Sequence, residues 1–376
     1  MSLFNVYPLF DITPIKAKDV FVYDKNDTEY LDLYGGHAVI SIGHSHPTYV
    51  KNISDQVSKM GFYSNSIQNP LQVALANELV EQSNCKDYQL FLCNSGAEAN
   101  ENALKLASFH TGKKKVISFT NSFHGRTSAA VAATDNAKIV APINAQQEVV
   151  FFDLGDLKSV EIALQKGDVC AVIIECIQGV GGLDESTSEF YQGLDKLCKQ
   201  YSALLIADEV QSGFGRTGDF FAFQKHNISP DIISIAKGMG NGFPVGGILI
   251  HPTIKASYGL LGTTFGGNHL ACVASLTVLE VLKEEKLLEN ATSISEYFIE
   301  KAATIPEIKK IKGRGLMLGM EFDFPIAALR KELIFKHHIF TGSAKNPNLL
   351  RILPPLTIKK QHVDQFFEAL KKGLIN

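Results

Sequence analysis

Short continuous apolar segments, most of them rich in Ile and Val, recur between residues 89 and 250 and constrain the fold more than any other feature. Helical or loop-like sequence separates each segment from the next. A run that is apolar at every position is typical of a strand buried on both faces, and such strands form largely parallel sheets covered by helices. We therefore predict an α/β fold with a mostly parallel central sheet. The segments are QLFLCNSG, KKVISFT, EVVFF, VCAVIIE, ALLIADEV, DIISIAKG and GGILI.

Both ends of the chain have a different pattern. Alternating segments on either side of Asn26–Asp27 predict a β-hairpin, and residues 280–305 have the apolar spacing of one long helix. The other predicted elements are helices over 70–83, 97–112 and 328–340, a strand pair over 308–322 and a final helix over Lys360–Leu374. We expect a large α/β domain over residues 50–265 and a smaller α+β domain formed by residues 1–49 and 266–376.

Charge and hydropathy exclude several classes of protein. The formal net charge is -3 without a long block of one sign, which argues against binding of nucleic acid or other polyanions by charge. No apolar stretch approaches the roughly 18 residues of a membrane span. The first residues lack the basic and long apolar regions of a signal peptide. We predict a cytoplasmic protein that has neither a membrane nor a nucleic acid as partner.

The six cysteines form no C-x-x-C pair, and most lie inside apolar segments. Small buried thiols are the simplest interpretation of this pattern. The sequence therefore predicts neither a disulfide framework nor a metal site.

Four motifs carry candidate chemistry, and the first is FLCNSGAEANENAL. A strand is expected to end at Cys93 and a helix to begin near Ala97, with Ser95 and Gly96 in the turn between them. Backbone N–H groups at a helix N-terminus, together with a hydroxyl, can bind a phosphate. An ordinary N-cap would give the same pattern.

The second motif, TNSFHGRTSAA, places Phe123, His124 and Arg126 in one loop. An aromatic ring can stack on a planar ligand, and an arginine can bind a carboxylate with its fork of N–H groups. A packed ring and a solvated arginine are the alternative.

The third and fourth motifs place ionisable residues at the ends of buried strands. Asp208 closes one apolar strand, and Val210 is expected on the same strand face because it lies two positions further on. A buried carboxylate needs a cationic partner, and no metal-ligand spacing accompanies this one. Lys237 ends the next apolar strand and precedes a glycine-rich turn. Burial there would lower the pKa of its amine and allow attack on a carbonyl, unless the side chain simply reaches water.

Together these motifs match the needs of pyridoxal 5'-phosphate (PLP). This cofactor requires a seat for its phosphate, a side chain that stacks on its ring, an acid at its pyridine nitrogen and a lysine for its aldehyde. The order along the chain is Ser95, Phe123, Asp208 and Lys237.

The same segments resemble the class III (ornithine-type) aminotransferases of PLP fold type I. The resemblance extends from LDLYGGHAVISIGHSHP to LRILPPL, and its most specific parts are IADEVQSGFGRTG and DIISIAKGMGNGFPVGG. Within that family, NSGAEANENALKLA and SFHGRT are similar to the acetylornithine aminotransferases of arginine biosynthesis. The resemblance implies transfer of the ω-amino group of an N-acylornithine to 2-oxoglutarate, which gives N-acyl-glutamate semialdehyde and glutamate.

The resemblance also implies residue roles. Lys237 would bind PLP covalently and move protons, and Asp208 would pair with the pyridine nitrogen. The other implied cofactor-binding residues are Ser95, Gly96, Ala97, Phe123, His124, Val210, Gln211 and Thr264. Thr264 would reach the phosphate of a neighbouring subunit, which implies a homodimer with a shared active site. The implied substrate-binding residues are Arg126 and Arg351, which would bind carboxylates, and Glu175.

Three positions depart from the family pattern. Val180 stands where a glutamate is usual, Cys176 where a proline is usual, and His37 where an apolar residue is common. The usual glutamate can pair with the C-terminal arginine, so Arg351 would lack that partner. The altered charge balance raises the hypothesis that the acyl group is succinyl instead of acetyl. Ornithine, 4-aminobutyrate, an aminomutase or decarboxylase reaction, and a non-enzymatic binding module are the alternatives.

Overall fold

A seven-stranded β-sheet forms the centre of the computed structural model, which describes residues 3–375. Residues 1, 2 and 376, which the sequence assigns to the smaller domain, lie outside the described residues. All seven apolar segments form strands of this sheet, as predicted. They are β4 (Gln89–Cys93), β5 (Lys115–Phe119), β6 (Val149–Phe152), β7 (Val169–Ile174), β8 (Leu204–Asp208), β9 (Ile232–Ile235) and β10 (Gly246–Ile250). Their order across the sheet is β4-β10-β9-β8-β7-β5-β6.

The sheet is mostly parallel, but one strand runs the other way. β5 is parallel to β6 and β7, and β8 is parallel to β7 and β9, whereas β10 is antiparallel to both β4 and β9. Only about ten residues join β9 to β10, and a parallel return needs a crossover of a dozen or more. The short connection therefore reverses the chain. β4 to β9 all end at the same edge of the sheet, which brings their following loops together.

Helices cover both faces of the sheet, which explains why its strands are mostly apolar and do not alternate between apolar and polar residues. On β8, Ile206 shares a buried cluster with Ala103 of helix α4 (Gly96–Thr111). The next residue towards the N-terminus, Leu205, shares the other large cluster with Leu194 of helix α7 (Ser188–Gln200). Successive side chains of a strand point to opposite faces, so each face buries one of the pair. The remaining helices of this part are α3 (Pro70–Ser83), α5 (Ser128–Ala132) and α6 (Leu157–Leu164).

The two ends of the chain form two further sheets of four strands each. The first contains β1 (Pro14–Lys18), β2 (Phe21–Asp24), β3 (Glu29–Asp32) and β13 (Ile339–Phe340); the second contains β11 (Lys310–Arg314), β12 (Met317–Glu321), β14 (Gly342–Ser343) and β15 (Leu349–Ile352). The predicted hairpin (β2 and β3) and the predicted strand pair (β11 and β12) are confirmed, and both are antiparallel. β3 is parallel to β13, with Leu31 opposite Ile339, so the two ends of the chain meet. The domain boundaries near residues 50 and 265 stay a prediction.

The helices of the end segments differ in part from the prediction. They are α1 (Gly35–Ala38), α2 (Pro47–Lys59), α8 (His269–Glu284), α9 (Leu287–Ala302), α10 (Ala327–Phe335) and α11 (Lys360–Ile375). The single long helix over 280–305 is wrong, because Lys286 adopts a left-handed conformation (φ 52°) that separates α8 from α9. The helix predicted over 328–340 stops at Phe335, since Ile339 and Phe340 pair with β3. The helices predicted over 70–83, 97–112 and Lys360–Leu374 are confirmed.

The structure also bears on the membrane spans and the cysteines that the sequence analysis considers. Within residues 3–375, no helix combines the length and the apolar character that crossing a membrane requires. All six cysteines are buried and unpaired, in agreement with the prediction of small buried thiols.

Candidate active site

A cavity of about 390 Å³ lies at the edge of the central sheet where β4 to β9 end. Its size suits a small organic ligand. The cavity brings together most of the residues that the sequence predicts for the site. Those in its wall are Ser95, Gly96, Ala97, Phe123, His124, Arg126, Glu175, Asp208, Val210, Gln211 and Lys237.

The turn after β4 forms one end of the cavity. Ser95 is the N-cap of α4, and its Oγ accepts a hydrogen bond from the Glu98 N–H at 3.2 Å. The N–H groups of Gly96 and Ala97, in the first turn, have no partner within the helix. A Cβ atom on Gly96 would lie only 2.4 Å from Cγ1 of Val210, so any other residue would force Val210 or the turn to move. The turn can therefore bind an anion at the start of a 16-residue helix.

Asp208, the last residue of β8, is held in place by three hydrogen bonds. Its Oδ2 accepts from Asn100 Nδ2 and from His124 Nδ1, both at 2.7 Å, and its Oδ1 accepts from the Val210 N–H at 3.0 Å. The carboxylate is only 4% exposed. A buried carboxylate with this many donors stays in one orientation, with a lone pair of Oδ1 free for a ligand.

Two findings around Asp208 differ from the sequence-based expectation. Val210 does not lie on the strand, because β8 ends at Asp208 and the chain turns; both residues nevertheless line the cavity. Asn100, which binds Asp208 from helix α4, was not predicted. The sequence feature that could have identified Asn100 is its polar side chain on the buried face of that helix, beside the apolar residues Ala103 and Leu104.

Lys237 lies in the turn directly after β9, with a left-handed backbone (φ 44°). Burial lowers the pKa of its amine; the nearby carboxylates of Asp208 and Glu175 oppose this shift, and Arg351 adds to it. Within residues 3–375 the amine forms no ion pair. A larger fraction of the amine is therefore neutral than in water, and a neutral amine is the nucleophilic form.

Glu175, directly after β7, ties two loops of the site together. Its Oε1 accepts from the Phe123 N–H and its Oε2 accepts from the Gly179 N–H, both at 2.9 Å. Burial raises the pKa of this carboxyl to about 7, and the nearby charge of His124 opposes the shift. Both oxygens bind backbone groups, so the side chain fixes the position of the aromatic ring at one side and of the 175–179 turn at the other.

The two predicted carboxylate-binding arginines occupy different positions. Arg126 lines the cavity and is exposed. Arg351, on β15, is buried behind the wall, where it donates from Nη1 to the Gly179 carbonyl (2.8 Å) and from Nε to the Ser343 carbonyl (2.6 Å). Within residues 3–375 neither guanidinium pairs with a carboxylate, and Val180 contributes an apolar side chain to the cavity.

Thr264 is the one predicted cofactor-binding residue that lies outside the cavity. It is exposed, in the segment between β10 and α8, and its neighbour Phe265 is 59% exposed. A role in the site of a second subunit, as the resemblance implies, stays a prediction.

Three buried polar atoms around the cavity have no hydrogen-bond partner in the described part of the chain: His124 Nε2, Asn100 Oδ1 and Gln211 Oε1. Such atoms are costly unless a ligand or water satisfies them. PLP has an anionic phosphate, a ring nitrogen, a ring hydroxyl and an aldehyde. The turn at Ser95, Asp208, Gln211 and Lys237 offer a complementary group for each, so the residues fit this cofactor.

A family model for class-III aminotransferases matches residues 5–374. The chain belongs to the class-III aminotransferases. This aminotransferase is 39% identical to the acetylornithine aminotransferase of Bacillus subtilis, over 99% of this chain and 97% of that protein. It is 38% identical to the acetylornithine aminotransferase of Aquifex aeolicus, over 99% of each chain. The solved ornithine aminotransferase of Toxoplasma gondii ME49 superposes with a TM-score of 0.91 at 27% identity, over 98% of this chain and 91% of that one. The fold is thus PLP fold type I, as predicted, and family membership implies PLP-dependent transfer of an amino group.

Proposed function

We propose that this aminotransferase moves the ω-amino group of an N-acylornithine, in the first instance N-acetylornithine, to 2-oxoglutarate with PLP as cofactor. The products would be N-acyl-glutamate semialdehyde and glutamate, in a step of arginine biosynthesis. The main support is that Lys237 and Asp208 line one cavity with the N-terminus of α4. The names of the relatives at 38–39% identity favour the acetylornithine substrate. We expect the enzyme to work in the cytoplasm.

PLP supplies an aldehyde that condenses with amines and a ring that accepts electrons released at the substrate carbon. Ser95, Gly96 and Ala97 would hold its phosphate, and Gln211 its hydroxyl. The ring of Phe123 would cover one face of the cofactor ring, and the methyl groups of Val210 would cover the other.

Asp208 would keep the pyridine nitrogen protonated. A carboxylate that is buried and already oriented by Asn100 and His124 interacts strongly with a nearby N–H cation, because little water competes with it. The free lone pair of Oδ1 is the acceptor that the structure leaves for this bond.

Lys237 would serve as the general acid and base of the reaction. Its amine has a lowered pKa, so it can accept a proton from the substrate carbon that bears the nitrogen and release it again. Arg126 and Arg351 would bind the substrate carboxylates, for which the fork of a guanidinium fixes orientation better than a lysine does.

We also propose a homodimer in which Thr264 completes the partner's site. Thr264 is exposed outside its own cavity, and the next residue, Phe265, is a large apolar side chain that is also exposed. Phe62 (43% exposed) and Phe265 (59% exposed) contact each other with ring centroids 5.3 Å apart. A second copy that covered these rings would remove them from water.

The test is a substrate panel with the purified enzyme loaded with PLP. N-acetylornithine, N-succinylornithine, ornithine and 4-aminobutyrate are each offered with 2-oxoglutarate, and glutamate formation is measured. We expect kcat/KM for the better acylated ornithine to exceed that for ornithine and 4-aminobutyrate by at least about a hundredfold, because a substrate without the acyl group loses its packing contacts and leaves polar groups of the site unpaired. Preference for ornithine or 4-aminobutyrate, which lack the N-acyl group, or no glutamate from any amine, would reject the proposal.

A further inference from the structure

Residues 35–38 form a turn of unusual backbone conformation. All four residues have positive φ: Gly35 (53°), Gly36 (55°), His37 (70°) and Ala38 (62°). Glycine adopts this region readily, but residues with a Cβ do so rarely and then usually one at a time. A strained turn of this kind persists only where its surroundings hold it, and such turns occur often at functional sites.

The surroundings that hold His37 belong to the active site. Gln211, which lines the cavity, donates from Nε2 to the His37 carbonyl at 3.2 Å. The ring is held as well, because His37 Nδ1 lies 2.6 Å from Tyr34 Oη. Val39, two residues further on, lines the cavity itself.

The hydrogen bonds also indicate which ring nitrogen of His37 is available. Arg351 donates from Nη2 to Tyr34 Oη at 3.2 Å, since a guanidinium has donors only. The chain of bonds is complete when the Tyr34 hydroxyl donates to His37 Nδ1, which leaves the imidazole proton on Nε2. Within residues 3–375, Nε2 makes no hydrogen bond. His37 is exposed next to the cavity-lining residues Val39 and Gln211, and it presents a free N–H donor at the end of the hydrogen-bond chain that begins at Arg351.

The charges around His37 favour an anionic ligand. Burial and the nearby cations Arg351, Lys237 and Arg330 lower the pKa of His37, so the free imidazole is neutral. Val180 lines the adjacent wall, and the carbonyl of the preceding residue accepts from Arg351. Glu175 is the nearby acid, but within residues 3–375 no carboxylate forms an ion pair with this arginine. The positive charges near His37 attract a carboxylate, whereas they do not attract a neutral acyl group.

We infer that His37 is a specificity-determining residue whose Nε2–H binds a carboxylate at the end of the substrate's acyl group. The enzyme then prefers ornithine acylated by a dicarboxylic acid, of which N-succinylornithine is the simplest probe, over N-acetylornithine. This inference rests on the proposed N-acylornithine aminotransferase function.

The test compares kcat/KM for N-succinylornithine and N-acetylornithine in the PLP-loaded enzyme and in His37→Asn. Asparagine tolerates positive φ, so the turn keeps its backbone while the imidazole is lost. The wild-type ratio should favour the succinyl substrate at least about tenfold, and His37→Asn should lower that ratio about tenfold, the loss expected for one hydrogen bond to a charged group. The change should come through KM for N-succinylornithine, as for an interaction made equally in the ground and transition states.

His338→Asn is the matched control, because His338 is also a histidine with positive φ (54°), but its ring packs on Tyr30 and its carbonyl accepts from the Leu31 N–H, and neither partner lines the cavity. It should keep the wild-type ratio. Val180→Glu supplies the missing acid near Arg351 and should lower the ratio as His37→Asn does.

Two sets of outcomes distinguish this inference from the function on which it rests. A wild-type preference for N-acetylornithine overturns the inference, and so does a ratio that His37→Asn leaves unchanged because both substrates lose equally. Failure of both acylornithines to react would instead overturn the proposed function.

Discussion

The carboxylate of Asp208 and the imidazole of His124 share a 2.7 Å hydrogen bond in the wall of the cavity, although they come from the ends of different strands. The side chain of His124 is completely buried, and its backbone N–H is bound by Thr134 Oγ1 at 2.9 Å. Asn100 donates to the same oxygen of Asp208 from helix α4. The orientation of one carboxylate thus depends on three separate parts of the chain.

Replacement of Asp208 by Asn should lower kcat/KM by a factor of about 10² to 10³, the usual effect of removing one preorganised electrostatic group. The amide keeps the shape of the side chain but cannot stabilise a protonated ring nitrogen. Steady-state kinetics measures the loss, and circular dichroism checks the fold. Asn100→Ala, which removes one of the orienting donors, should cost about tenfold. Wild-type kinetics in Asp208→Asn would contradict the assigned role.

Lys237→Ala should bind PLP without the absorbance band of the lysine-bound cofactor and should lose essentially all turnover. No other amine in the cavity wall can replace it among the described residues. Absorbance spectroscopy and the glutamate assay measure the two effects. Lys345→Ala is a suitable control, because that lysine is paired with Asp135 at 3.0 Å. Substantial turnover in Lys237→Ala would mean that a different lysine binds the cofactor.

Gly96→Ala should weaken PLP binding by about tenfold or more, because overpacking typically costs 1–3 kcal/mol. The added Cβ would lie 2.4 Å from Cγ1 of Val210, which must move together with the phosphate-binding turn. Titration of the apoenzyme with PLP measures the dissociation constant. The double variant Gly96→Ala/Val210→Ala removes the colliding atom and should recover part of the affinity. Equal affinity of the two variants would exclude the collision as the cause.

The stability of the apoenzyme should carry a pH dependence from Glu209. Its carboxylate is buried and accepts from Ser212 Oγ and from the N–H groups of Ala222 and Phe223, and burial raises its pKa to about 7. Between the unfolded pKa of about 4.5 and the folded value, the folded chain binds more protons than the unfolded chain, so stability falls as pH rises. The effect of this one group is at most about 3 kcal/mol.

Thermal unfolding midpoints of the apoenzyme and of Glu209→Gln, measured from pH 5 to pH 8, test this dependence. The amide does not titrate, so the advantage of the wild type should shrink as pH rises through about 7. A constant difference between the two proteins over this range would show that Glu209 does not titrate there.

Thr264→Ala should lower PLP affinity about tenfold, as expected for a lost hydrogen bond to an anion, without altering the dimer. A hybrid dimer of one Lys237→Ala chain and one Thr264→Ala chain distinguishes shared from separate sites. If the sites are shared, the hybrid contains one intact site with wild-type affinity and turnover. If each chain builds its own site, both sites of the hybrid are defective. Sedimentation measures the oligomeric state.

The sequence could predict that the main site residues come together, because they lie at the ends of strands. Ser95, Asp208 and Lys237 each follow a continuous apolar segment, and the ends of like-directed strands lie at one edge of a sheet. The direction of β10 was not predictable from its apolar pattern, which is the same for either direction. Only the short connection from β9 reveals it.

Other features could not be predicted, because they depend on contacts between segments that are distant in the sequence. Asn100 interrupts the buried face of α4, but its partner becomes clear only when β8 lies beside that helix. The break at Lys286 has no glycine or proline to mark it. The left-handed turn at His37 likewise depends on Tyr34 and Gln211, which bind it from different parts of the fold.

The parallel pairing of β3 with β13 has a consequence for the synthesis of the protein. Leu31 leaves the ribosome early, and its partner Ile339 follows roughly 300 residues later, which at 5–20 residues per second is a delay of about 15–60 s. The central sheet, whose strands all lie between residues 89 and 250, can form during this time. The N-terminal hairpin must wait as an incomplete sheet with one open edge, and an open edge can pair with another chain. Nascent chains of this enzyme should therefore depend on chaperones most in the interval before β13 emerges.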